Sequence, residues 1–177
     1  MTLSSHAIGN GSPATFLHGF TQTSHSWTHL VEKLPFTSTL IDLPGHGGSP
    51  DGRRSLTQTA EEIADAMPAG CLIGYSMGGY GALVSGGAAV SEAAVAEYGA
   101  ALAQHMPPDV DPRLRAIVPI GPWGRHRGIW DAAGLGGLRV PALIMAGSAD
   151  EVSGYASGMR LIYDEAPGAM LLTFEGA

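Results

Sequence analysis

The sequence predicts an α/β fold in which a mostly parallel sheet carries helices on both faces. Short apolar runs recur between stretches of helical pattern, and glycine, at 26 of 177 residues, often follows those runs directly. Strands that alternate with helices in this way are typical of a parallel sheet. The runs of strand length are residues 14–17, 39–43, 71–73, 116–120, 142–145 and 170–174.

Helices are predicted between these strands, and residues 1–177 are expected to form a single domain. A chain of this length builds one sizeable core and is too short for two. Ligands of parallel sheets bind at the carboxyl ends of the strands, so the glycines that follow the strands are expected near a site. The helical stretches are residues 24–34, 56–67, 77 to about 90, 91–105 and 152–165.

The strand at residues 71–73 leads into the motif Gly74-Tyr75-Ser76-Met77-Gly78, and a helical stretch follows. This strand–turn–helix context is typical of a nucleophile elbow, in which flanking glycines allow a serine to sit on a strained turn. The N–H groups and the dipole of the following helix stabilise a negative oxygen that develops beside it. Ser76 is therefore the candidate nucleophile. The alternative interpretation is a tight structural turn.

A second donor to such an oxygen is expected after the strand at residues 14–17, where His18-Gly19-Phe20 lies. The backbone N–H groups of Phe20 and Met77 are predicted to form an oxyanion hole. His18, beside that hole, is interpreted as a bracing, hydrogen-bonded histidine rather than as the base. Asp42 and His46, in a turn-rich loop after the next strand, are interpreted as structural.

Asp150 follows the strand at residues 142–145 and a glycine turn. A carboxylate there is predicted to orient a catalytic histidine and to stabilise its charge. The alternative is a helix N-cap, and one side chain can serve both purposes. The segment Arg125-His126-Arg127 is expected to be a solvated basic loop. The chain has seven histidines, all before Asp150: His6, His18, His25, His29, His46, His105 and His126.

Composition excludes several classes of function. The net charge of −7 argues against nucleic acid, and no apolar run approaches the ~20 residues of a membrane span. The single cysteine, Cys71, allows no internal disulfide and no Cys-rich zinc site, and the only lysine, Lys33, follows no phosphate-binding loop. The N-terminal residues lack the features of a secretory signal. We expect a cytoplasmic protein without cofactor or metal, acting on a small ester or acyl compound, of undetermined oligomeric state.

Together these motifs resemble the α/β-hydrolase superfamily over nearly the whole chain. The first half, with residues 16–21, 42–47 and 74–79, is similar to the menaquinone-pathway succinyl-hydroxy-cyclohexadiene-carboxylate synthase. The second half, with residues 120–124 and 146–155, is similar to dienelactone-hydrolase-related esterases. The resemblance implies an α/β-hydrolase fold with a triad in the chain order Ser, Asp, His.

The superfamily pattern also places the histidine after the last strand. Because no histidine follows Asp150, the resemblance implies a base beyond Ala177 and a chain truncated at both ends, with little of the usual first two strands before Pro13. The segment between Ile120 and Asp150 is too short for the helical lid of many relatives, so we expect a lidless, open cleft.

Three functions are compatible with these residues. The leading one is a serine hydrolase of the carboxylesterase type, inactive or nearly so where the histidine is missing. The second is a menaquinone-pathway-type lyase, although that family holds a substrate carboxylate with an arginine where this chain has Tyr80. The third is a non-catalytic ligand-binding relative.

Overall fold

A computed structural model describes residues 2–52, 56–105 and 109–177. It confirms the predicted α/β architecture, with a seven-stranded sheet in the order β1-β3-β2-β4-β5-β6-β7. The strands are β1 (Ser5–Ile8), β2 (Ser12–Leu17), β3 (Phe36–Ile41), β4 (Gly70–Tyr75), β5 (Leu114–Ile120), β6 (Leu143–Gly147) and β7 (Met170–Phe174).

Strands β2 to β7 pair in parallel, whereas β1 runs antiparallel to β3, with Ser5 opposite Ile41. The expectation of little strand structure before Pro13 is therefore corrected by β1. This strand lies at the edge of the sheet and is largely exposed, so its sequence carries no apolar run. Parallel pairing places the carboxyl ends of β2, β4, β5 and β6 along one edge of the sheet.

The helices are shorter and more interrupted than the sequence pattern indicates. The stretch at 24–34 divides into a 3₁₀ turn and α1, and the stretch at 91–105 divides into α4 and a 3₁₀ helix. The α-helices are α1 (Thr28–Val31), α2 (Leu56–Ala66), α3 (Met77–Ser85), α4 (Glu92–Tyr98), α5 (Ala132–Leu135) and α6 (Arg160–Glu165). The 3₁₀ helices are Ser24–Trp27, Ala100–His105 and Arg125–Arg127, and a π-helix spans Tyr155–Met159.

Glycines with positive φ account for these interruptions. Gly87 ends the segment after α3 at φ 109°, Gly99 separates α4 from the 3₁₀ helix at φ 104°, and Gly154 precedes the π-helix at φ 72°. Glycine adopts this backbone region without the steric cost that other residues meet. A glycine in a helical pattern is tolerated as well as disruptive, so the pattern alone does not place these breaks.

The core divides into two clusters, one on each face of the sheet. Adjacent residues of a strand point to opposite faces, and Leu72 and Ile73 of β4 accordingly belong to different clusters. One face packs buried residues of α3 to α6 against the sheet, including Leu83, and the other packs Trp27 and Val31. Helices on both faces, as predicted, therefore enclose the central strands.

Residues 121–142, all described, contain a 3₁₀ turn and the four-residue helix α5, and no larger insertion. This matches the expectation of a core without a helical lid. Within the ranges that the structure describes, no helix has the length and apolar character needed to cross a membrane.

Strand β4 and helix α3 approach each other too closely for side chains at their crossing. A Cβ on Gly74 would overlap the backbone carbonyl of Gly78, and a Cβ on Gly78 would lie 2.5 Å from the carbonyl oxygen of Leu17. Further along α3, a Cβ on Gly81 would meet only the side chain of Leu17, at 4.0 Å. Gly74 is thus closely packed against backbone, whereas Gly81 in the following helix has space for a methyl group.

We predict opposite effects of alanine at these two positions. Gly74→Ala should lower the free energy of unfolding by about 1–3 kcal/mol, because its methyl group overlaps backbone that cannot move freely. Gly81→Ala should be neutral or raise it by up to about 1 kcal/mol, because alanine restricts the unfolded chain and favours the helix. Urea unfolding of the two variants measures both effects. Equal destabilisation would contradict the close crossing.

Candidate active site

Ser76 occupies a strained turn between β4 and α3. With φ 53° and ψ −110°, it is the one non-glycine residue with positive φ in the described part of the chain. Its N–H donates to the carbonyl of Ile120 at 2.9 Å, and its carbonyl accepts from the N–H of Tyr80 at 3.0 Å. The Ser76 side chain makes no capping hydrogen bond to α3 and is only half-buried. Its hydroxyl is therefore available to a ligand.

Two backbone N–H groups beside Ser76 are free to bind an anion. Neither the N–H of Phe20 nor that of Met77 donates a hydrogen bond to any of the described residues. The Phe20 loop lies close to the serine, because the Cβ position of Gly19 is 3.5 Å from the Cβ of Ser76. The structure thus brings the three predicted elements of an acyl-transfer site to one edge of the sheet.

His18 is fully buried and uses both ring nitrogens in structural hydrogen bonds. Nε2 accepts from the N–H of Leu43 at 3.0 Å, which leaves Nδ1 to donate to the carbonyl of Gly19 at 2.8 Å. Burial lowers the pKa of His18, as does the charge of His46, while the Gly19 carbonyl and Asp42 oppose the shift. The neutral ring therefore braces the Phe20 loop, which matches the interpretation from sequence, and it has no lone pair left for Ser76.

Asp42 and His46 hold the neighbouring loop, as their positions in the sequence indicate. The carboxylate of Asp42 accepts from the N–H of Ser24 at 2.7 Å and from that of Gly48 at 2.9 Å. Burial would raise the pKa of Asp42, but these hydrogen bonds outweigh it and the pKa is lowered. The ring nitrogens of His46 face the carbonyls of Pro44 at 3.0 Å and Phe20 at 2.6 Å.

The contact between His46 and Phe20 was not anticipated from sequence. It joins the loop after β3 to the loop that carries the proposed oxyanion donor, across 26 positions of the chain. His46 and His18 also stack at 5.0 Å between ring centroids. No local pattern predicts a contact of this range, although the shared position of both loops at strand ends favours it.

Asp150 lies at the carboxyl end of β6 and acts in part as a turn cap. Its Oδ1 accepts from the N–H groups of Val152 at 2.8 Å and Ser153 at 2.9 Å. Its Oδ2 lies 3.5 Å from the Cβ position of Gly121, the residue after the strand whose last carbonyl binds Ser76. The Ser153 hydroxyl donates to the Gly121 carbonyl at 3.0 Å and fixes this turn. Capping and orientation of a base are therefore compatible, since each can use one oxygen.

The segment Arg125-His126-Arg127 differs from the solvated loop expected from sequence. Arg125 forms a two-point ion pair with Glu165, at 2.7 and 2.6 Å, and so does not face the serine as a free cation. The ring nitrogens of His126 are buried and lack a hydrogen-bond partner in the described structure. The expectation is wrong for these two residues because the 3₁₀ turn packs against the π-helix after Asp150, whereas Arg127 is exposed as expected.

His126 lies near the candidate carboxylate without being bonded to it. Burial lowers the pKa of His126, and the charge of Arg127 lowers it further, while Asp150 and the backbone of Ser153 oppose the shift. The ring also packs edge-on against Trp123. His126 is thus a neutral, packed histidine on the Asp150 side of the site.

Ala177 lies next to the turn that leads into Asp150. Its carbonyl accepts from the N–H of Ala149 at 2.7 Å, one residue before Asp150. The N–H of Gly176 donates to the Ser148 hydroxyl at 2.9 Å, so the segment after β7 follows the turn after β6. A residue attached to Ala177 would begin beside Asp150.

The buried neutral His18 predicts a pH dependence of stability. Its folded pKa lies below the ordinary value of 6.5, so in acid the unfolded chain binds a proton that the folded chain does not. The contribution of the neutral His18 ring to the free energy of unfolding is therefore fully present above about pH 6.5. It is lost as the pH falls from there toward the folded pKa. His18→Gln does not titrate and keeps an acceptor for Leu43, so it should flatten this decline by up to about 1.4 kcal/mol per pH unit.

Chemical unfolding of both proteins between about pH 7 and 5 measures this difference, within the titration range of histidine. His126, whose pKa is also lowered, is present in both proteins and cancels from the comparison. Parallel slopes would show that His18 gains or loses no protons on folding.

Solved structures of esterase-type proteins share the fold. The chain matches a lipase-esterase related protein from Clostridium acetobutylicum with a TM-score of 0.69 and 16% identity, covering 98% of this chain and 90% of that one. It matches an esterase from Exiguobacterium antarcticum with a TM-score of 0.72 and 16% identity, covering 98% and 87%. At such identities the likeness shows the fold alone.

Curated relatives match part of the chain at higher identity. A pimeloyl-[acyl-carrier protein] methyl ester esterase of Xanthomonas campestris pv. campestris is 39% identical over 80 residues, covering 43% of this chain and 32% of the relative. A 2-succinyl-6-hydroxy-2,4-cyclohexadiene-1-carboxylate synthase of Klebsiella pneumoniae is 37% identical over 87 residues, covering 42% and 34%. The match thus spans about a third of each relative, and the second fits the likeness seen in the first half.

The family model described as alpha/beta hydrolase family matches residues 16–174. This range runs from β2 through β7 and includes the serine turn and Asp150. The chain therefore belongs to the alpha/beta hydrolase family.

Proposed function

We propose that this protein is a serine hydrolase of the carboxylesterase type. The strained Ser76, with a free hydroxyl between two unbonded backbone N–H groups, is the observation that supports the proposal most directly. Such a site stabilises the negative oxygen that forms when a hydroxyl adds to a carbonyl carbon. Esterases recur among the relatives and the structural neighbours, which supports ester hydrolysis.

In the proposed reaction, Oγ of Ser76 attacks the ester carbonyl carbon and transfers its proton to a base. The carbonyl oxygen becomes negative and accepts hydrogen bonds from the N–H groups of Phe20 and Met77. Collapse of this intermediate expels the alcohol, which takes the proton from the base and leaves an acyl-serine. Water then attacks the acyl-serine by the same steps and releases the acid.

We propose that the base is a histidine that follows Ala177 and is oriented by Asp150. The position of Ala177, with its carbonyl bonded to the residue before Asp150, supports this placement. His18 is an unsuitable alternative because both its ring nitrogens are engaged, and those of His46 face backbone carbonyls. His126 is the remaining alternative near the carboxylate.

The lyase alternative is less well supported. Tyr80, at the position of the arginine in the synthase family, is buried and stacks on Trp130 at 5.1 Å between ring centroids. Arg125 is committed to Glu165. Among the described residues, neither position offers a cation for a substrate carboxylate. The third alternative, a ligand-binding relative without catalysis, predicts the same pocket but no turnover.

We predict that a fluorophosphonate probe labels Ser76. Labelling should be slow in the 177-residue chain, because the N–H groups of Phe20 and Met77 are unbonded while no side chain among the described residues bonds the Ser76 hydroxyl. Mass spectrometry of the digested adduct identifies the modified residue. Ser76→Ala should abolish labelling, and an adduct on another serine with Ser76 unmodified would refute the assignment.

We predict that a histidine added after Ala177 restores a general base. An extension of about ten residues that begins Gly-His should raise turnover of a short-chain nitrophenyl ester by about 10²–10⁴-fold, the usual contribution of a positioned base. The matched control is the same extension beginning Gly-Gln. It retains the length of the extension, but the glutamine amide is not basic and does not take the proton from Ser76.

Asp150→Asn in the extended chain tests the orientation of that histidine. The amide favours the wrong tautomer of the ring and should remove most of the gain, by up to about 10⁴-fold. If the Gly-His and Gly-Gln extensions are equally active, the base does not follow Ala177. A loss of the residual activity in His126→Gln would then assign the base to His126.

A further inference from the structure

An apolar cavity of about 320 Å³ opens beside the proposed oxyanion donors. It lies between α2 and α3 and is bounded by the loops after β2 and β3. Phe20 and Met77 form part of its wall, so the cavity begins where an ester carbonyl would be held. Asp150 and the turn that follows it are not among its lining residues.

The lining is mostly apolar, and His46 is the one ionisable side chain besides Tyr80 among its described residues. No Asp, Glu, Lys or Arg occurs among the lining residues within the described chain, and the walls are built from side chains such as Leu17, Leu43, Ile63 and Val84. Moving an ionised carboxylate from water into such surroundings is costly unless a partner compensates it. A methylene chain instead gains free energy from the same transfer.

The polar groups at the cavity are largely committed elsewhere. Both ring nitrogens of His46 face backbone carbonyls, which accept and cannot donate. Tyr80 packs its ring on Trp130, and burial raises the pKa of its hydroxyl, so it stays neutral. The ring nitrogens of His46 therefore point at backbone carbonyls and not at a ligand in the cavity.

The direction of proton transfer distinguishes the acyl side of a bound ester from its alcohol side. The leaving alcohol must take a proton from the base, so it points toward Asp150, which orients that base in the proposed function. The acyl group then points away from Asp150. The cavity is lined by Phe20 and Met77 and not by Asp150 or the turn after it, which fits the acyl side.

The size of the cavity limits the chain that it accepts. Its volume is near the lower end of ligand pockets, which span about 300–1,000 Å³. A cavity of this size suits a short acyl chain rather than a long one. Gly81 lines the cavity on α3, and a Cβ there would meet only the side chain of Leu17, at 4.0 Å, so this part of the wall has room.

We propose that this cavity binds the unbranched, uncharged acyl chain of the ester, with its carbonyl between the N–H groups of Phe20 and Met77. This inference rests on the proposed function, which identifies the ligand as an ester and the bound part as its acyl group. The apolar site itself does not depend on catalysis, so its ligand preference is measurable in a chain that cannot turn over.

The test uses the Ser76→Ala chain and three soluble esters. Methyl hexanoate and monomethyl adipate have acyl chains of equal length that end in a methyl group and a carboxylate, respectively, and methyl butanoate is two carbons shorter. Calorimetric titration should show methyl hexanoate binding up to roughly fourfold more tightly per added methylene than methyl butanoate. It should also show monomethyl adipate binding at least about tenfold more weakly than methyl hexanoate, because its carboxylate is not paired.

Matched substitutions on α2 locate the binding. Both Ala60 and Glu61 are exposed on this helix, but only Ala60 lines the cavity. Ala60→Leu should weaken binding of methyl hexanoate by about fivefold or more by filling the cavity, and Glu61→Leu should leave it unchanged. Gly81→Leu, from the opposite wall, should act as Ala60→Leu does, and it provides a second variant if either fails to fold.

Each other outcome overturns the proposal. Equal or tighter binding of monomethyl adipate would show that the cavity accepts a carboxylate, and absence of binding by all three esters would show that it is not a ligand site. A response to Glu61→Leu equal to that of Ala60→Leu would place the ligand elsewhere. Failure of the proposed function is distinct, because it appears as absent fluorophosphonate labelling of Ser76 while these affinities keep their order.

Discussion

The turn at Ser76 depends on an unfavourable backbone conformation that the surrounding structure maintains. A non-glycine residue in such a region costs about 1–3 kcal/mol and persists only where neighbours determine it. Hydrogen bonds to Ile120 and from Tyr80 fix the backbone on either side. The close approach of α3 to β4 leaves room only for glycine at position 74, and its approach to the end of β2 leaves room only for glycine at position 78. The strained backbone, the close packing of Gly74 and Gly78 and the exposed hydroxyl therefore all depend on the same turn.

The loops that complete the site are fixed by buried polar groups rather than by secondary structure. His18 links the Phe20 loop to Leu43, and Asp42 gathers N–H groups from two loops around its carboxylate. A buried polar group without a partner costs more than its hydrogen bond contributes, so each bond constrains both loops. The position of the Phe20 N–H thus depends on the segment after β3 as much as on its own strand.

The sequence predicts features that arise from local pattern and misses those that arise from contact. The apolar run at 71–73 correctly places β4, and the glycine spacing correctly places a strained turn at Ser76. The exposed edge strand β1 and the breaks around Gly99 lack such a pattern, because pairing with β3 and a positive φ are tertiary outcomes. The burial of His126 and the pairing of Arg125 with Glu165 likewise join distant segments, so a basic tripeptide could not reveal them. The roles of Ser76, Asp150, Phe20 and Met77 stay predictions, although the structure brings their surroundings together.

The proposed site has two halves. The electrostatic half stabilises the negative oxygen, and the proton-transfer half orients the base. The proposed electrostatic half is the strained serine with the unbonded N–H groups of Phe20 and Met77, which lie in the loop after β2, in the turn after β4 and at the first position of α3. The proposed proton-transfer half is Asp150 on a capped turn, with His126 packed nearby and Ala177 bonded to the residue before Asp150. In serine hydrolases the electrostatic half alone retains about 10³–10⁴-fold catalysis over water when triad members are removed. A chain with only this half is therefore expected to bind and slowly acylate rather than to be inert, which is why binding in the Ser76→Ala chain and labelling of Ser76 report on separate properties.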